Sequence, residues 1–500
     1  MEKDPFIVKT DLQFMKPYFL GIDIGTQGAR VALVDATGRI IGSAGKVFEL
    51  NDRSREEQSP EGWWDACVNS ICLLLHQEDA RAAAPGIKAV AVTSTSGTVI
   101  PVDDNYRPLH DALMYSDKRS ALQALKCTDA ALKHHNKGYT AFNSSSGLAK
   151  MVWFVETYPG KVARLHRWLH AADYITGRLC GIWGITDYTN AFKSGYDISD
   201  YCWPEYLYTH LPLKKEWLPE VLPSGAVIGT LKPELAATLG LPASIAVTTG
   251  ITDGCASQVA SGAINPGEWN TTIGTTMVIK GVTRNEVPDP SGRLYSHRHP
   301  AGYWMPGGAS NTGADWVTTE FGDEDKLDSL NRAAIALIPT GLIAYPLRQE
   351  GERFPFIAPG ARGFEPGGLS ETLRYTANME GVAYIERYAY ELIEQLSGEK
   401  VKAIFTAGGA SNSDAWLTIR SNVLNRPIYK MQHVSGAMGA AILAASKTYF
   451  DSVIAAVEQM VKVDKKVEPH QDLVGLYQQG FREFVSTLRD KGYIKDKNYA

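Results

Sequence analysis

The sequence is poor in the features that would mark a secreted, membrane or nucleic-acid-binding protein. It has 6 cysteines in 500 residues, and none forms a C-x-x-C pair, which excludes a disulfide scaffold and favours a reducing compartment. The formal net charge is −5, with 50 basic against 55 acidic residues, so charge predicts neither nucleic-acid nor membrane binding. The longest small apolar run, 436–445, is too short to span a bilayer. The opening residues MEKDPFIVKTD lack the apolar stretch of a secretory signal. We therefore expect a cytoplasmic protein.

The common nucleotide-binding and hydrolase motifs are also absent. The sequence contains no G-x-x-x-x-G-K-[S/T], and its 46 glycines include no G-x-G pair. A P-loop, a Rossmann fingerprint and a protein-kinase glycine loop are therefore unsupported. Because HExxH and GxSxG are missing too, nothing indicates a zinc peptidase or an α/β-hydrolase.

The composition is that of a globular protein, and the first half of the chain has an α/β pattern. Hydrophobic residues make up 44% and charged residues 21%. A helix is predicted to begin with Ser59 as its N-cap and Pro60 in its first turn. The continuous apolar run at 87–93 indicates a buried strand. Before them, three β-rich runs joined by tight turns predict an antiparallel meander: 18–25, 29–35 and 39–44.

The same strand–turn–strand pattern recurs half a chain later. IGTQ at 24–27 and IGTT at 273–276 both lie between β-rich runs, the second inside 267–282 and after a predicted strand at 245–250. This repeat predicts two similar lobes, which we place at 1–255 and 256–500. The later half then alternates predicted helices and strands, at 377–397 (helix), 401–406 (strand), 413–424 (helix), 427–430 (strand), 435–446 (helix) and 472–490 (helix).

The first repeated turn has the chemistry of a phosphate site. Gly25, Thr26 and Gln27 expose backbone N–H groups and a hydroxyl, and such a concavity binds anions. Asp23 stands two residues before the turn, where its carboxylate can hold a hydrated Mg²⁺. The alternative is an ordinary glycine hairpin.

The second repeated turn offers the same groups. Gly274 allows close approach, and Thr272, Thr275 and Thr276 supply hydroxyls, although a threonine-rich strand end is the plain alternative. Two such hairpins in two lobes describe a nucleotide held in a central cleft.

Three further segments carry polar groups at turns. Gly408 and Gly409 in TAGGASNSDAW would let a flat ligand lie against bare backbone, or they simply form a strand-to-helix turn. Asp253 in GITDGCASQ follows a strand and begins a helix, where an N-cap is the structural alternative. Asp117 and Arg119 in MYSDKR carry opposite charges two residues apart, and a surface ion pair is their structural alternative.

Taken together, these motifs resemble those of the FGGY carbohydrate kinases over essentially the whole chain. The resemblance implies an α/β fold of two ribonuclease-H-like, actin-like ATPase lobes with a central cleft that binds ATP and sugar. It implies Asp253 as catalytic base, Asp117 and Arg119 as sugar ligands, and Asp23 as an Mg²⁺ ligand through water. It further implies nucleotide contacts from both turns and from the later glycine segment: Asp23, Gly25, Thr26, Gln27, Thr272, Gly274, Thr275, Thr276, Gly408, Gly409, Ala410 and Asn412.

Finer features are most similar to the D-ribulose kinases within that family. They are TSGTVIPVD at 95–103, MYSDKR, and TDYTNAFKSGYD at 186–197, so Thr95, Ser96 and Lys193 join the expected sugar ligands. The expected partners are ATP, Mg²⁺ and a small sugar, most simply D-ribulose, with D-xylulose and L-ribulose as alternatives. The oligomeric state stays open, a homodimer included. A chaperone-type actin-like ATPase is a rival, but it gives no reason for MYSDKR or for GERFPF at 351–356.

Overall fold

The computed structural model describes residues 16–135, 137–322 and 324–495, so the opening segment used for the leader prediction lies outside it. The chain divides into two compact units. The first contains the described residues up to Ala256 and also Gly436–Met460, and the second contains Ser257–Ser435 and the described residues from Val461 onward. This division departs from the predicted one mainly at Gly436–Met460, which returns from the second half of the chain to the first unit.

The elements are numbered in chain order. Up to the end of α10 the strands are β1 Tyr18–Ile24, β2 Gly28–Asp35, β3 Ile40–Val47, β4 Glu57–Gln58, β5 Ile87–Ser94, β6 Val99–Val102, β7 Ala112–Leu113, β8 Arg167–His170, β9 Ile185–Asp187, β10 Glu220–Leu222, β11 Val227–Thr230, β12 Ala246–Thr248 and β13 Ile251–Thr252. The helices of this part are α1 Pro60–Leu75, α2 Glu78–Ala83, α3 Ala121–His134, α4 Gly147–Thr157, α5 Pro159–Val162, α6 Ala171–Cys180, α7 Tyr188–Phe192, α8 Tyr206–Thr209, α9 Pro233–Leu239 and α10 Asp253–Ala260.

The remaining elements follow α10. The strands are β14 Glu268–Ile273, β15 Met277–Gly281, β16 Tyr295–Arg298, β17 Trp304–Ser310, β18 Ala403–Ala407, β19 Ile428–Met431 and β20 Val463–Val467. The helices are α11 Asp315–Phe321, α12 Glu324–Ala334, α13 Glu371–Ser397, α14 Asp414–Leu424, α15 Gly436–Ala445, α16 Val453–Met460 and α17 Gln471–Asp490.

A mixed sheet forms the centre of the first unit. Its order is β11-β12-β5-β1-β2-β3, with β13 also paired to β5. The meander predicted from the sequence is confirmed, since β1, β2 and β3 pair antiparallel. Strands β1, β12 and β13 all run parallel to β5. The carboxyl ends of β1, β5 and β13 therefore meet at one edge of this sheet.

The second unit repeats this plan. Its sheet has the order β16-β17-β15-β14-β18-β19-β20. Again three strands, β14, β15 and β17, pair antiparallel, and β14 then continues into the parallel pairs β14–β18 and β18–β19. The repeat predicted from the IGT turns is thus a repeat of topology, and each unit has the ribonuclease-H-like arrangement that the resemblance implied.

Helix α15 explains why Gly436–Met460 belongs to the first unit. All ten of its residues, GAMGAAILAA, are buried, so this helix needs neighbours on every side. It packs on β1 and β5, and small residues permit the close contact: a Cβ on Gly21 would lie 1.8 Å from the backbone oxygen of Ala437. A Cβ on Gly439 would lie 2.0 Å from the backbone oxygen of Ala256.

The N-cap predicted at Ser59 is confirmed. Ser59 caps α1, its hydroxyl accepting from the N–H of Gly62, and Ser413 caps α14 by accepting from Trp416. Helix α13 begins six residues before the predicted start at 377. Within the described ranges, none of the helices combines the length and apolarity needed to cross a membrane.

Candidate active site

The first predicted phosphate turn joins β1 to β2. Gly25 N–H donates to the Gly28 carbonyl at 3.0 Å and closes the turn. Neighbouring segments hold it from outside: the Gln58 side chain donates to the Thr26 carbonyl at 3.0 Å, and the Phe48 N–H donates to the Gln27 carbonyl at 2.9 Å. Hydrogen bonds within the turn and from its neighbours therefore hold it in place.

Two carboxylates come together beside this turn. Asp23 lies near the end of β1, and a Cβ on Gly436, at the start of α15, would lie 2.7 Å from its carboxylate carbon. Asp253 is the exposed first residue of α10, directly after β13, and its Oδ1 accepts from the N–H of Gly254 at 2.7 Å. Burial first, and then the negative charge of Asp253, raise the pKa of Asp23 to about 6, while Arg30 opposes them. A cation at this edge of the sheet would relieve that repulsion.

Asp117 and Arg119 form an ion pair whose carboxylate is buried, so the alternative interpretation as a surface ion pair is wrong. Asp117 is 1% exposed, and its carboxylate accepts from Arg119 Nε at 3.0 and 3.1 Å and from Nη2 at 2.8 Å. The guanidinium also donates to Glu57 at 2.7 Å and stacks over the Trp153 ring at 4.4 Å. Arg119 is thereby fixed on three sides, and it fixes the orientation of the Asp117 carboxylate.

Thr95 and Ser96 follow the end of β5, next to this pair in the fold. Thr95 Oγ1 lies 2.9 Å from Thr98 Oγ1, which in turn accepts from the Tyr115 N–H at 3.2 Å. In the described chain, Ser96 Oγ is buried and has no hydrogen-bond partner. Buried hydroxyls are normally paired, so this one is suited to a ligand hydroxyl.

Lys193 completes the predicted sugar ligands. It is the C-cap of α7, and a Cβ on Gly97 would lie 3.5 Å from its Cδ. The structure thus brings Thr95, Ser96, Asp117, Arg119 and Lys193 into one region of the first unit. A cavity of about 620 Å³ adjoins it and reaches the phosphate turn, with Thr26, Gln27, Tyr115, Ser116, Lys118 and Ser145 among its lining residues.

Lys150 is a residue of this region that the sequence reasoning missed. It lies on α4, is fully buried, and donates to the backbone oxygens of Asp117 and Ser144. The local sequence GLAKMVWF gives no signal for it, because a lysine in a helix is normally solvent-exposed.

In the second unit, the second phosphate turn joins β14 to β15. Gly274 N–H donates to the Thr276 carbonyl at 3.0 Å, and Ala314 N–H donates to the Gly274 carbonyl at 2.7 Å. The Thr272 hydroxyl accepts from Asn270 at 3.0 Å. A Cβ on Gly274 would meet nothing within 4 Å. The fold therefore does not require glycine here, and the open space suits an approaching phosphate.

The later glycine segment, TAGGASNSDAW at 406–416, is predicted to contact the adenosine of the nucleotide; this adenosine segment lies beside that turn. Strands β14 and β18 are parallel with Thr272 opposite Ala407, so the two loops leave the same edge of the sheet. Gly408 has φ +87°, and its Cβ would lie 2.4 Å from the Ile273 carbonyl oxygen, so the fold requires glycine there. Gly409 has open space instead. Ala410 is buried and Asn412 is exposed.

Comparison with known proteins matches this arrangement to one family. The N-terminal domain of the FGGY family of carbohydrate kinases matches residues 18–260, and its C-terminal domain matches residues 269–448. A xylulose kinase of Staphylococcus epidermidis is 26% identical over 489 residues, covering 95% of this chain and 97% of that protein. A gluconokinase of Bacillus licheniformis is 25% identical over 511 residues, covering 97% and 98%.

Solved structures agree on the fold. The crystal structure of a xylulose kinase from Rhodospirillum rubrum matches with a TM-score of 0.81 at 23% identity, covering 95% of this chain and 98% of that one. Because both family domains are those of carbohydrate kinases, the chaperone-type alternative is not supported. The chain therefore belongs to the FGGY family of carbohydrate kinases, and it is an ATP-dependent sugar kinase.

Proposed function

We propose that this kinase phosphorylates the terminal hydroxyl of a ketopentose, with D-ribulose converted to D-ribulose 5-phosphate. The likeness of TSGTVIPVD and MYSDKR to the D-ribulose kinases supports the choice of sugar. The observation that carries the proposal is the grouping of Asp253, Ser96 and Asp117 in one unit, where the ends of β5 and β13 lie side by side. Polar groups at the carboxyl ends of parallel strands are a common location for α/β active sites.

In this proposal Asp253 is the general base. Its carboxylate accepts the proton of the sugar O5 hydroxyl as that oxygen forms its bond to the γ-phosphorus of ATP. The bond from that phosphorus to the bridging oxygen breaks, ADP leaves, and the proton passes from Asp253 to solvent. Asp117, Arg119, Thr95, Ser96 and Lys193 hold the other sugar hydroxyls. Two cationic, one anionic and two neutral polar side chains suit a small polyhydroxy compound.

The nucleotide would use the two turns and the adenosine segment. In the first unit these are the backbone and hydroxyl of Gly25, Thr26 and Gln27. In the second unit they are Thr272, Gly274, Thr275, Thr276, Gly408, Gly409, Ala410 and Asn412. The open space at Gly274 and Gly409 fits this use, because it leaves the backbone accessible to a ligand. Asp23 would hold Mg²⁺ through water, and bound Mg²⁺ neutralises phosphate charge. Among the residues described, no cluster of three or more His, Cys, Asp or Glu side chains could hold a metal by itself.

The sugar assignment is tested by comparing kcat/KM for D-ribulose, D-xylulose, L-ribulose, glycerol and D-gluconate with MgATP. We expect D-ribulose to have the largest value. D-xylulose is the second candidate, because relatives named xylulose kinase match 95% of this chain. If any other compound exceeds D-ribulose by about tenfold, a difference that a few pocket contacts can produce, the assignment to D-ribulose is wrong.

The catalytic assignment is tested by Asp253→Asn. Asparagine keeps the side-chain oxygen that accepts from the N–H of Gly254, so the start of α10 should stay intact. It cannot accept the sugar proton, so kcat should fall by about 10²–10⁴ while MgATP still binds. The measurements are steady-state kinetics, a nucleotide titration and a melting curve.

Asp79→Asn is the matched control, because Asp79 is also an exposed aspartate in the first turn of a helix, α2. It should leave kcat unchanged. Loss of a general base should lower kcat at least about a hundredfold. If Asp253→Asn keeps more than about a tenth of the wild-type kcat, the loss is smaller than that, and Asp253 is not the base.

A further inference from the structure

Lys150 is a buried amine for which packing gives no reason. It is 0% exposed on α4, and in the described part of the chain no carboxylate lies within ion-pair distance of its Nζ. The pKa of Lys150 is lowered to about 7, chiefly by burial; Asp117 opposes this lowering, and the positive charges of Lys193 and Arg119 add to it. An apolar side chain of similar length would fill the same space without the desolvation of an amine. The amine is therefore explained by what it binds.

Its partners are two backbone oxygens from separate loops. Nζ donates to the Asp117 carbonyl at 3.3 Å and to the Ser144 carbonyl. The first loop carries the Asp117–Arg119 pair, and its neighbours Ser116 and Lys118 line the cavity of about 620 Å³. The second loop supplies Ser144 and Ser145 to the same cavity. Lys150 thus joins two walls of the cavity from behind.

The second loop is also held to the segment after β5. Within the loop, the Asn143 side chain accepts from the Ser145 N–H at 2.8 Å. A Cβ on Gly97 would lie 2.2 Å from the Ser145 carbonyl oxygen, so the absence of a side chain there lets the loop rest against residues 95–98. The position of the loop then sets the distance between Ser96, Ser145 and Asp117.

We propose that Lys150 is a positioning residue for sugar binding, holding the Asp117 loop and residues 143–146 at the separation that the sugar hydroxyls require. It does not touch the sugar, and it acts through the backbone of Asp117 and Ser144. The inference rests on the proposed role of Asp117 as a sugar ligand. In the described chain, the hydrogen bonds of Lys150 Nζ go to the Asp117 and Ser144 carbonyls and not to the nucleotide segments, so the effect should fall mainly on the sugar.

The test compares Lys150→Met, Lys150→Gln and the control Lys126→Met. Methionine keeps the length of the side chain and removes all donors, whereas glutamine keeps an amide that can donate to one of the carbonyls. Lys126 lies on α3 and pairs with Glu156 of α4 at 2.8 Å, so its removal perturbs the same helix pair on the exposed side. The ligand is D-ribulose, or whichever sugar gives the highest kcat/KM.

We expect Lys150→Met to raise the sugar Kd, measured by calorimetry without nucleotide, and the sugar KM by at least about tenfold, equal to about 1.4 kcal/mol. The kcat and the KM for ATP should change by less than about threefold, since no nucleotide contact is involved. Lys150→Gln should lie between Lys150→Met and wild type, and Lys126→Met should match wild type.

Three results would overturn the inference. One is a folded Lys150→Met whose sugar KM stays within about twofold of wild type. The second is an equal rise in the KM for ATP. The third is that neither Lys150→Met nor Lys150→Gln folds, which would assign the residue to stability. Asp117→Asn separates this inference from the proposed site: if it leaves the sugar Kd unchanged, the site itself is wrong.

Discussion

Glu352 offers a quantitative test of how the second phosphate turn is supported. Its carboxylate is 2% exposed and lies in the segment 348–370, which has neither helix nor strand. It accepts five short hydrogen bonds: from Ser310 Oγ at 2.8 Å, Thr312 Oγ1 at 2.9 Å, Tyr345 OH at 2.9 Å, Asn311 N–H at 2.7 Å and Arg353 N–H at 2.9 Å.

These bonds fix the segment that backs the turn. The Thr312 carbonyl accepts from the Met277 N–H at 2.9 Å, and a Cβ on Gly313 would lie 2.4 Å from the Thr275 carbonyl oxygen. The segment 310–314 therefore lies directly behind residues 274–276. A change at Glu352 should reach the nucleotide site through this segment.

Glu352→Ala removes the shared acceptor of all five donors. Each hydrogen bond to a charged group contributes about 1.5–3 kcal/mol, but the three hydroxyls can rotate toward other acceptors and the Arg353 N–H can reach water. We count about two bonds as fully lost, that of the Asn311 N–H and that of one hydroxyl that finds no other acceptor, which gives about 3–6 kcal/mol of destabilisation. For a unit of this size that corresponds to a fall in melting temperature of at least about 6 °C.

The assay is thermal unfolding followed by circular dichroism, with steady-state kinetics on the same protein. The KM for ATP should rise more than the KM for sugar. Glu350→Ala is the matched control, because Glu350 lies two residues away and forms an exposed ion pair with Arg362 at 2.9 Å, which should contribute little. A melting temperature for Glu352→Ala within about 2 °C of wild type would refute the reasoning, since the lost bonds would then have been replaced.

Two further predictions concern the nucleotide turn and pH. The Gly274→Val variant should fold normally, because a side chain at this position has open space around it. Its KM for ATP should rise by at least about tenfold, because valine would block the approach of phosphate to the backbone. A normal KM with a lowered melting temperature would contradict this prediction. Burial lowers the pKa of His299 from 6.5 to about 3, so the unfolded chain binds a proton that the native chain does not as pH falls below 6.5. Between about pH 7 and about pH 5.5, the free energy of unfolding should therefore drop by about 1.3 kcal/mol more in wild type than in His299→Asn. Denaturant titration at both pH values measures the two drops, and equal drops would contradict the assignment.

Much of the local structure of the candidate site could be predicted from the sequence, because its motifs lie at turns and helix starts. A β-hairpin turn is specified by a few adjacent residues, so IGTQ and IGTT indicated two strand-connecting loops before any fold was known. The two turns close differently, since the Gly25 N–H donates to the carbonyl three residues on and the Gly274 N–H to the carbonyl two residues on. Asp253 was placed after a strand and at a helix start by its neighbours alone, and the structure has it there. The predicted cap at Ser59 is equally local.

What only the tertiary structure decided depends on contacts between residues far apart in the chain. The sequence of the all-apolar helix α15 indicates that the helix is buried but not which sheet it packs on. Only the packing of Gly21 against Ala437 assigns it to the first unit. Lys150 is 33 residues from Asp117, and Glu352 is 42 residues from Ser310. Periodicity and spacing report the environment of a residue within one element. The packing of the elements decides which backbone oxygens the Lys150 amine contacts. It also decides which hydroxyls donate to the Glu352 carboxylate.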